Sequence, residues 1–258
     1  MTLRTLPLAV AVPSLLAAAA LCAPSRLAGQ SAGHFEVGLY AGSLSHSLLG
    51  LVNGTLSGIG GPGGLDVDAD VEAESSTLVG GQLGRRLSPS LRVRLRIART
   101  TTHMRLIART GPIGAFGPQV FKFDGLGDVV VWLADIDVAW TPRRFALPVA
   151  PYVFGGLGAS NWDISGLEDV GALPPLLESP VNLSPVNSYL PGAVLGIGVA
   201  LGSFGPLTAE VELADHVTGD PLADDDFRIG AAFAGFGRAK DLVHNFCLTA
   251  GARVALGR

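Results

Sequence analysis

The stretch Leu91-Arg92-Val93-Arg94-Leu95-Arg96-Ile97 constrains the fold more than any other part of the chain. Every odd position is aliphatic and every even one is arginine. In an extended strand the two sets point to opposite faces, whereas a helix would spread Arg92, Arg94 and Arg96 around its axis. The segment therefore reads as a strand with one apolar and one charged face. A fold that accepts it must cover the first face with apolar material and give the second its counter-charges.

The same period recurs. Phe35, Val37, Leu39 and Ala41 oppose Glu36, Gly38, Tyr40 and Gly42. Val130, Trp132, Ala134, Ile136, Val138 and Trp140 oppose Asp135 and Asp137. Leu207, Ala209, Val211 and Leu213 alternate with Thr208, Glu210 and Glu212, and Phe246, Leu248, Ala250, Ala252, Val254 and Leu256 oppose Asn245, Thr249, Gly251 and Arg253. Glycine-rich segments near 76–86, 149–161 and 188–202 complete a set of about eight strands, with nothing helical between them.

The connections sort by length. Those around 47–75, 101–126, 162–187 and 217–243 are long and rich in Gly, Pro, Asp and Ser, and are expected to be loops. Leu87 to Ser90, Thr141 to Pro148 and Ser203 to Pro206 are short. Strict alternation of long and short is a habit of transmembrane barrels, whose long loops share one side. An even strand count then puts both termini on the short-turn side.

At 258 residues the chain suits one domain. Only 16% of its residues are charged, below the roughly one quarter usual in soluble domains. A net charge of -4 and the lack of a Lys/Arg stripe argue against a nucleic-acid partner. Arg4, the apolar run Leu6 to Leu21 and small residues up to about Gln30 have the layout of a secretory signal peptide; Pro13 breaks the run, which is marginal for a span. The expected division is a signal peptide over 1–30, cleaved between about 20 and 30, and a barrel over 31–258. Cys22 offers a lipidated start instead, but Leu21 stands where such a signal needs a small residue. After cleavage only Cys247 remains, so the mature chain forms no internal disulfide. No later run is long enough for a membrane helix, and a spanning mature chain must therefore be a barrel.

This layout resembles the eight-stranded outer-membrane β-barrel families, such as the membrane domain of the OmpA-like proteins, over residues 33 to 258. Pro151 to Gly158 and Thr249 to Gly257 look like strands of such barrels. One departure is the ending Gly257-Arg258, where those proteins carry an aromatic residue. The resemblance implies an all-β, antiparallel up-and-down barrel in a bacterial outer membrane, monomeric, with long external loops and short periplasmic turns. Its surroundings would be outer-membrane lipid and lipopolysaccharide.

With the aliphatic faces toward lipid, Arg92, Arg94, Arg96, Asp135, Asp137, Glu210, Glu212 and Arg253 share one lumen. Charges confined there must pair, because an isolated one costs several kcal/mol. Eight strands leave a lumen only wide enough for side chains, so these residues are expected to close it as an ion-pair network. Trp132 and Trp140 lie on the lipid face roughly 20 Å apart along the membrane normal, a separation that suits anchors at the two interfaces.

Candidate chemistry is sparse, and no metal or cofactor is expected. His216-Val217-Thr218 faintly resembles the His-x-Ser arrangement of outer-membrane lipid A deacylases, with threonine for serine and Gly219 for the usual asparagine. It reads as a rim histidine in a polar loop. Asp66 to Glu74 starts like a calcium loop but lacks the turn glycine at Val71 and has Thr77 at the twelfth position. It reads as solvated loop, as do the acids Asp220, Asp224, Asp225 and Asp226. Gly60 to Gly64 lacks the Lys-Ser/Thr ending of a phosphate cradle and reads as flexible loop. The function expected is therefore non-enzymatic: a barrel with a charged, plugged lumen, serving envelope structure or binding a surface ligand through its loops. A narrow channel for small solutes or hydrophobic compounds is the alternative, with a lipid-modifying barrel enzyme behind it.

Overall fold

The computed structural model describes residues 34–47, 49–56, 65–113, 116–125, 127–142, 149–165, 186–221, 233–239 and 242–256. The segment read as a signal peptide lies outside these residues, as do Cys22, Gly60 to Gly64 and Asp224 to Asp226. The strands are β1 (Phe35–His46), β2 (Gly50–Leu56), β3 (Leu65–Ala73), β4 (Ser76–Ser88), β5 (Leu91–Ile113), β6 (Phe116–Phe123), β7 (Asp128–Trp140), β8 (Ala150–Ser165), β9 (Val186–Phe204), β10 (Leu207–Gly219), β11 (Phe233–Ala239) and β12 (Leu242–Leu256).

Eight of them close on themselves. The order around the ring is β1, β4, β5, β7, β8, β9, β10 and β12, every neighbouring pair antiparallel, with β12 pairing back to β1. Closure leaves no unpaired edge in the ring, the condition for carrying a sheet through hydrocarbon. The period-two patterns fix the register. Arg94 and Arg96 stand directly opposite Asp137 and Asp135 across β5 and β7, and a one-residue slip of either strand would turn its pair outward and leave the other unpaired.

The exterior is apolar. Leu39, Leu157 and Leu195 are among its most exposed side chains. On β7 the outward row from Val130 to Trp140 covers about 25 Å along the membrane normal, the height of a lipid-facing band. Trp132 and Trp140 both point outward, at 42% and 50% exposure. The guanidinium of Arg99 lies 5.7 Å from the Trp132 ring, and that of Arg85 lies 5.4 Å from the ring of Phe35 toward the opposite end of the band.

Three of the connections expected to be loops contain strands. β5 runs for 23 residues and leaves the ring to pair with β3 and β6; β3 pairs in turn with β2, and β2 with β11. The outcome is a five-stranded outer sheet above one side of the barrel. Asp66 to Ala73 is extended, not loop, and the reason is its alternation. Val67, Ala69, Val71 and Ala73 are buried, while Asp66 and Asp68 are exposed on the other face. Acids at every second position of a strand are held about 6–7 Å apart and do not converge on one ion as a calcium loop requires. Asp70 instead pairs with Arg109 of β5 at 2.5 Å.

Candidate functional site

In a ring of eight, β5 and β10 face each other across the full diameter, because three strands separate them on either side. This position sets the geometry of the interior. Arg92, Arg94 and Arg96 project inward from β5, and Glu210 and Glu212 project inward from β10; all are buried. Arg94 pairs with Glu212 across the lumen, and Arg96 Nη1 reaches the other oxygen of Glu212 at 2.8 Å. Arg92 reaches Glu210 at 3.4 Å. On the neighbouring β7, Asp137 accepts from Arg94 Nε at 2.7 Å and Asp135 from Arg96 Nε at 2.8 Å. Arg253 of β12 joins from the third side, its Nε 3.0 Å from Glu210.

The structure adds members that the sequence reading did not single out. Glu36 of β1 binds Arg253 at 2.6 Å, Arg86 at 3.2 Å and Arg92 at 3.3 Å. Its inward position follows from the alternation of β1, so the signal was present. Gln82 donates to Glu210, and Tyr152 donates to Glu212 at 2.6 Å. The rings of Tyr152 and Phe154 stack under the guanidiniums, with Arg94 at 4.4 Å and Arg96 at 4.7 Å from the Phe154 centroid. These rings lie where Gly196 and Gly198 of β9 carry no side chain; a Cβ there would sit 2.3 Å from Phe154 and 2.4 Å from Tyr152. Glycines that blur the alternation of β9 are thus the space the aromatic layer occupies. Among the described residues five arginines (86, 92, 94, 96 and 253) meet five carboxylates (36, 135, 137, 210 and 212), and this set is neutral.

The ion-pair network fills the half of the lumen toward the short turns. Toward the long connections many inward positions are apolar: Leu44, Leu78, Val129, Val131, Leu133, Trp162, Ile164 and Val194 are each at most 2% exposed, with the hydroxyls of Thr100, Thr102, Ser160 and Thr218 buried among them. The expectation of a charged lumen is corrected to this extent. Polar groups lie among these apolar ones: Asn245 Oδ1 accepts from His46 at 2.7 Å, Asn245 Nδ2 donates to the carbonyl of His216 at 3.0 Å, and the His46 ring lies 5.0 Å from that of Trp162.

His216 is not a rim residue. It is buried on β10, and its Nδ1 lies 3.7 Å from Asp135 Oδ2. The inward parity of β10, continued beyond Glu210 and Glu212, carries it inside. The hydroxyl of Thr218 is engaged by Asn245 Nδ2 at 3.4 Å. Asp220 is buried as well, against its reading as a solvated loop acid. Among the described residues no group of three or more His, Cys, Asp and Glu is arranged to hold a metal ion.

A closed antiparallel ring of eight strands, apolar outside and carrying paired charges inside, defines a small membrane-spanning β-barrel of the outer-membrane architecture. Several solved structures are similar to this chain. One is Neisserial surface protein A, at 13% identity, with 86% of this chain and 97% of that one covered and a TM-score of 0.47. Another is the outer membrane protein OprG from Pseudomonas aeruginosa, at 14% identity, 88% and 99% coverage and a TM-score of 0.49. A third is the outer membrane protein AlkL in lipid bilayers, at 13% identity, 92% and 96% coverage and a TM-score of 0.46. No family model and no curated protein matches the chain.

Proposed function

We propose that this barrel is a sealed, non-enzymatic component of a bacterial outer membrane, monomeric, surrounded by lipid and lipopolysaccharide, whose working surface is the outer sheet and the connections around it. The observation that carries the reading is the set of ion pairs from β5 to β10, which cross the whole diameter of the lumen. A pore needs a continuous wet path, and here its axis is occupied by guanidinium–carboxylate contacts backed by two aromatic rings. The lumen residues act in this reading as a fixed plug, and Trp132 and Trp140 act as anchors at the two lipid interfaces. Segment 1–30 serves as the export signal, removed before the barrel assembles.

The test is electrical. Purified protein in planar bilayers is expected to show no steady current. Steady, ion-selective conductance at high open probability would overturn the seal and favour the narrow-channel reading. Catalysis is tested separately: lipid A from cells expressing the protein is expected to keep its mass, and a loss of acyl chains would revive the enzyme.

A further inference from the structure

Between the plug and the short turns lies a cavity of about 110 Å³, lined by Arg86, Ser88, Arg92, Thr141, Thr208 and Arg253 among others. One water needs only about 10–15 Å³ of such space, so the cavity has room for several waters or one small oxyanion. Among the described residues the charges around it do not balance. Arg86, Arg92 and Arg253 meet two carboxylates, Glu36 and Glu210. Deeper in, Arg94 and Arg96 meet three, Asp135, Asp137 and Glu212. The network is neutral as a whole, but positive charge is displaced toward the cavity.

The bonds of the cavity layer are of mixed length, and Arg253 holds Glu36 at 2.6 Å and Glu210 at 3.0 Å. Arg86 touches one oxygen of Glu36 at 3.4 Å through Nε and 3.2 Å through Nη2, and the contacts of Arg92 with Glu36 and Glu210 span 3.3–3.5 Å. The deeper arginines hold their carboxylates at 2.9 Å or less. Two carboxylates thus serve three guanidiniums, and the contacts of Arg86 and Arg92 are long ones. Charge-assisted bonds to an oxyanion shorten to about 2.7–2.9 Å when the geometry allows.

We infer that this cavity is a binding site for a small oxyanion of the phosphate class, held by Arg86 with Arg92 or Arg253 and by the hydroxyls of Ser88, Thr141 and Thr208. The anion supplies the negative charge that the layer lacks. The inference rests on the sealed reading, since a wet, conducting lumen would screen the imbalance. The phosphate can be free or can belong to a lipid headgroup at the barrel rim.

Calorimetric titration of the folded protein in neutral detergent, at low ionic strength, tests it. One arm uses inorganic phosphate and the other a short-chain phosphatidic acid below its micelle concentration. Saturable one-to-one binding in either arm is expected, the responding arm naming the source. Arg86→Gln should weaken it about tenfold or more and Thr208→Val about threefold. No saturable binding in either arm, or binding unchanged in both variants, overturns the site. Heat-modifiable gel migration reports folding, and Thr208→Val, which keeps the side-chain shape, carries the test if Arg86→Gln does not fold. Bilayer recordings on the same preparation separate the two readings: a silent barrel that binds no phosphate loses the site alone, whereas steady conductance overturns the seal.

Discussion

The two halves of the barrel interior are filled by different physics. Toward the short turns the contents are five guanidiniums and five carboxylates with directional bonds, several of them spanning the diameter. Toward the long connections the contents are mainly apolar, Leu133, Trp162, Val194 and their neighbours, with local hydrogen bonds such as Trp162 Nε1 to Ser160 Oγ at 3.1 Å. Both fill space, but they fail differently. Deleting an apolar side chain leaves a void whose cost depends on how far neighbours relax. Deleting one ion leaves its partner buried and uncompensated. On the proposed reading the crossing ion pairs form the seal, and the apolar half carries a large share of the packing stability.

Glu212 is the sharpest place to break this division, because it holds both Arg94 and Arg96. Glu212→Ala is expected to cost about 3–5 kcal/mol, read as a lowered urea midpoint in lipid or detergent. It should also admit current in planar bilayers. Leu133→Ala, in the other half, is expected to cost about 2–4 kcal/mol and to leave the bilayer silent. Equal conductance from both variants would erase the distinction between plug and packing.

A smaller effect tests the support beneath the plug. Gly198 faces the Tyr152 ring, and a Cβ there would come within 2.4 Å of it. Gly198→Ala must therefore push the ring off its seat, at about 1–3 kcal/mol, and loosen the hydrogen bond from Tyr152 to Glu212. A urea midpoint equal to wild type would mean that the ring relocates freely and supports nothing.

How much of this was legible beforehand follows from the alternation. Where both faces carry marked residues, as in Leu91 to Ile97 or Asp135 and Asp137, the inward set can be read directly, and the structure places those side chains inside. Glu36 lies on an equally readable face, but nothing local shows that one carboxylate serves three arginines from three other strands. That fact needs the ring order. Tyr152 and Phe154 were hidden for another reason, since their partners across the strand pair are glycines and the pattern there has no polar face to mark it. The apolar outer half was obscured because inward and outward residues on β7 are alike from Val129 to Leu133, so alternation in hydrophobicity vanishes although alternation in direction persists. The outer sheet was missed because Gly and Pro in the long connections outweighed the clean period of Asp66 to Ala73.

That outer sheet supplies the weakest and most selective test, because it repeats the arginine–acid pairing of β5 in a different medium. Inside the barrel, Arg94 and Asp137 are both fully buried. Beyond it, Arg109 pairs with Asp70 at 2.5 Å, but its side chain is 51% exposed. The same strand thus carries one type of pair in two dielectric settings. An exposed pair contributes at most about 1 kcal/mol and is screened by salt. Arg109→Gln is therefore expected to shift the urea midpoint only slightly at low salt and not at all near 1 M, with the bilayer silent throughout. A large, salt-insensitive loss would show that the outer sheet is tied to the barrel's stability through this pair, and the division between an inner plug and an outer working surface would have to be redrawn at β5.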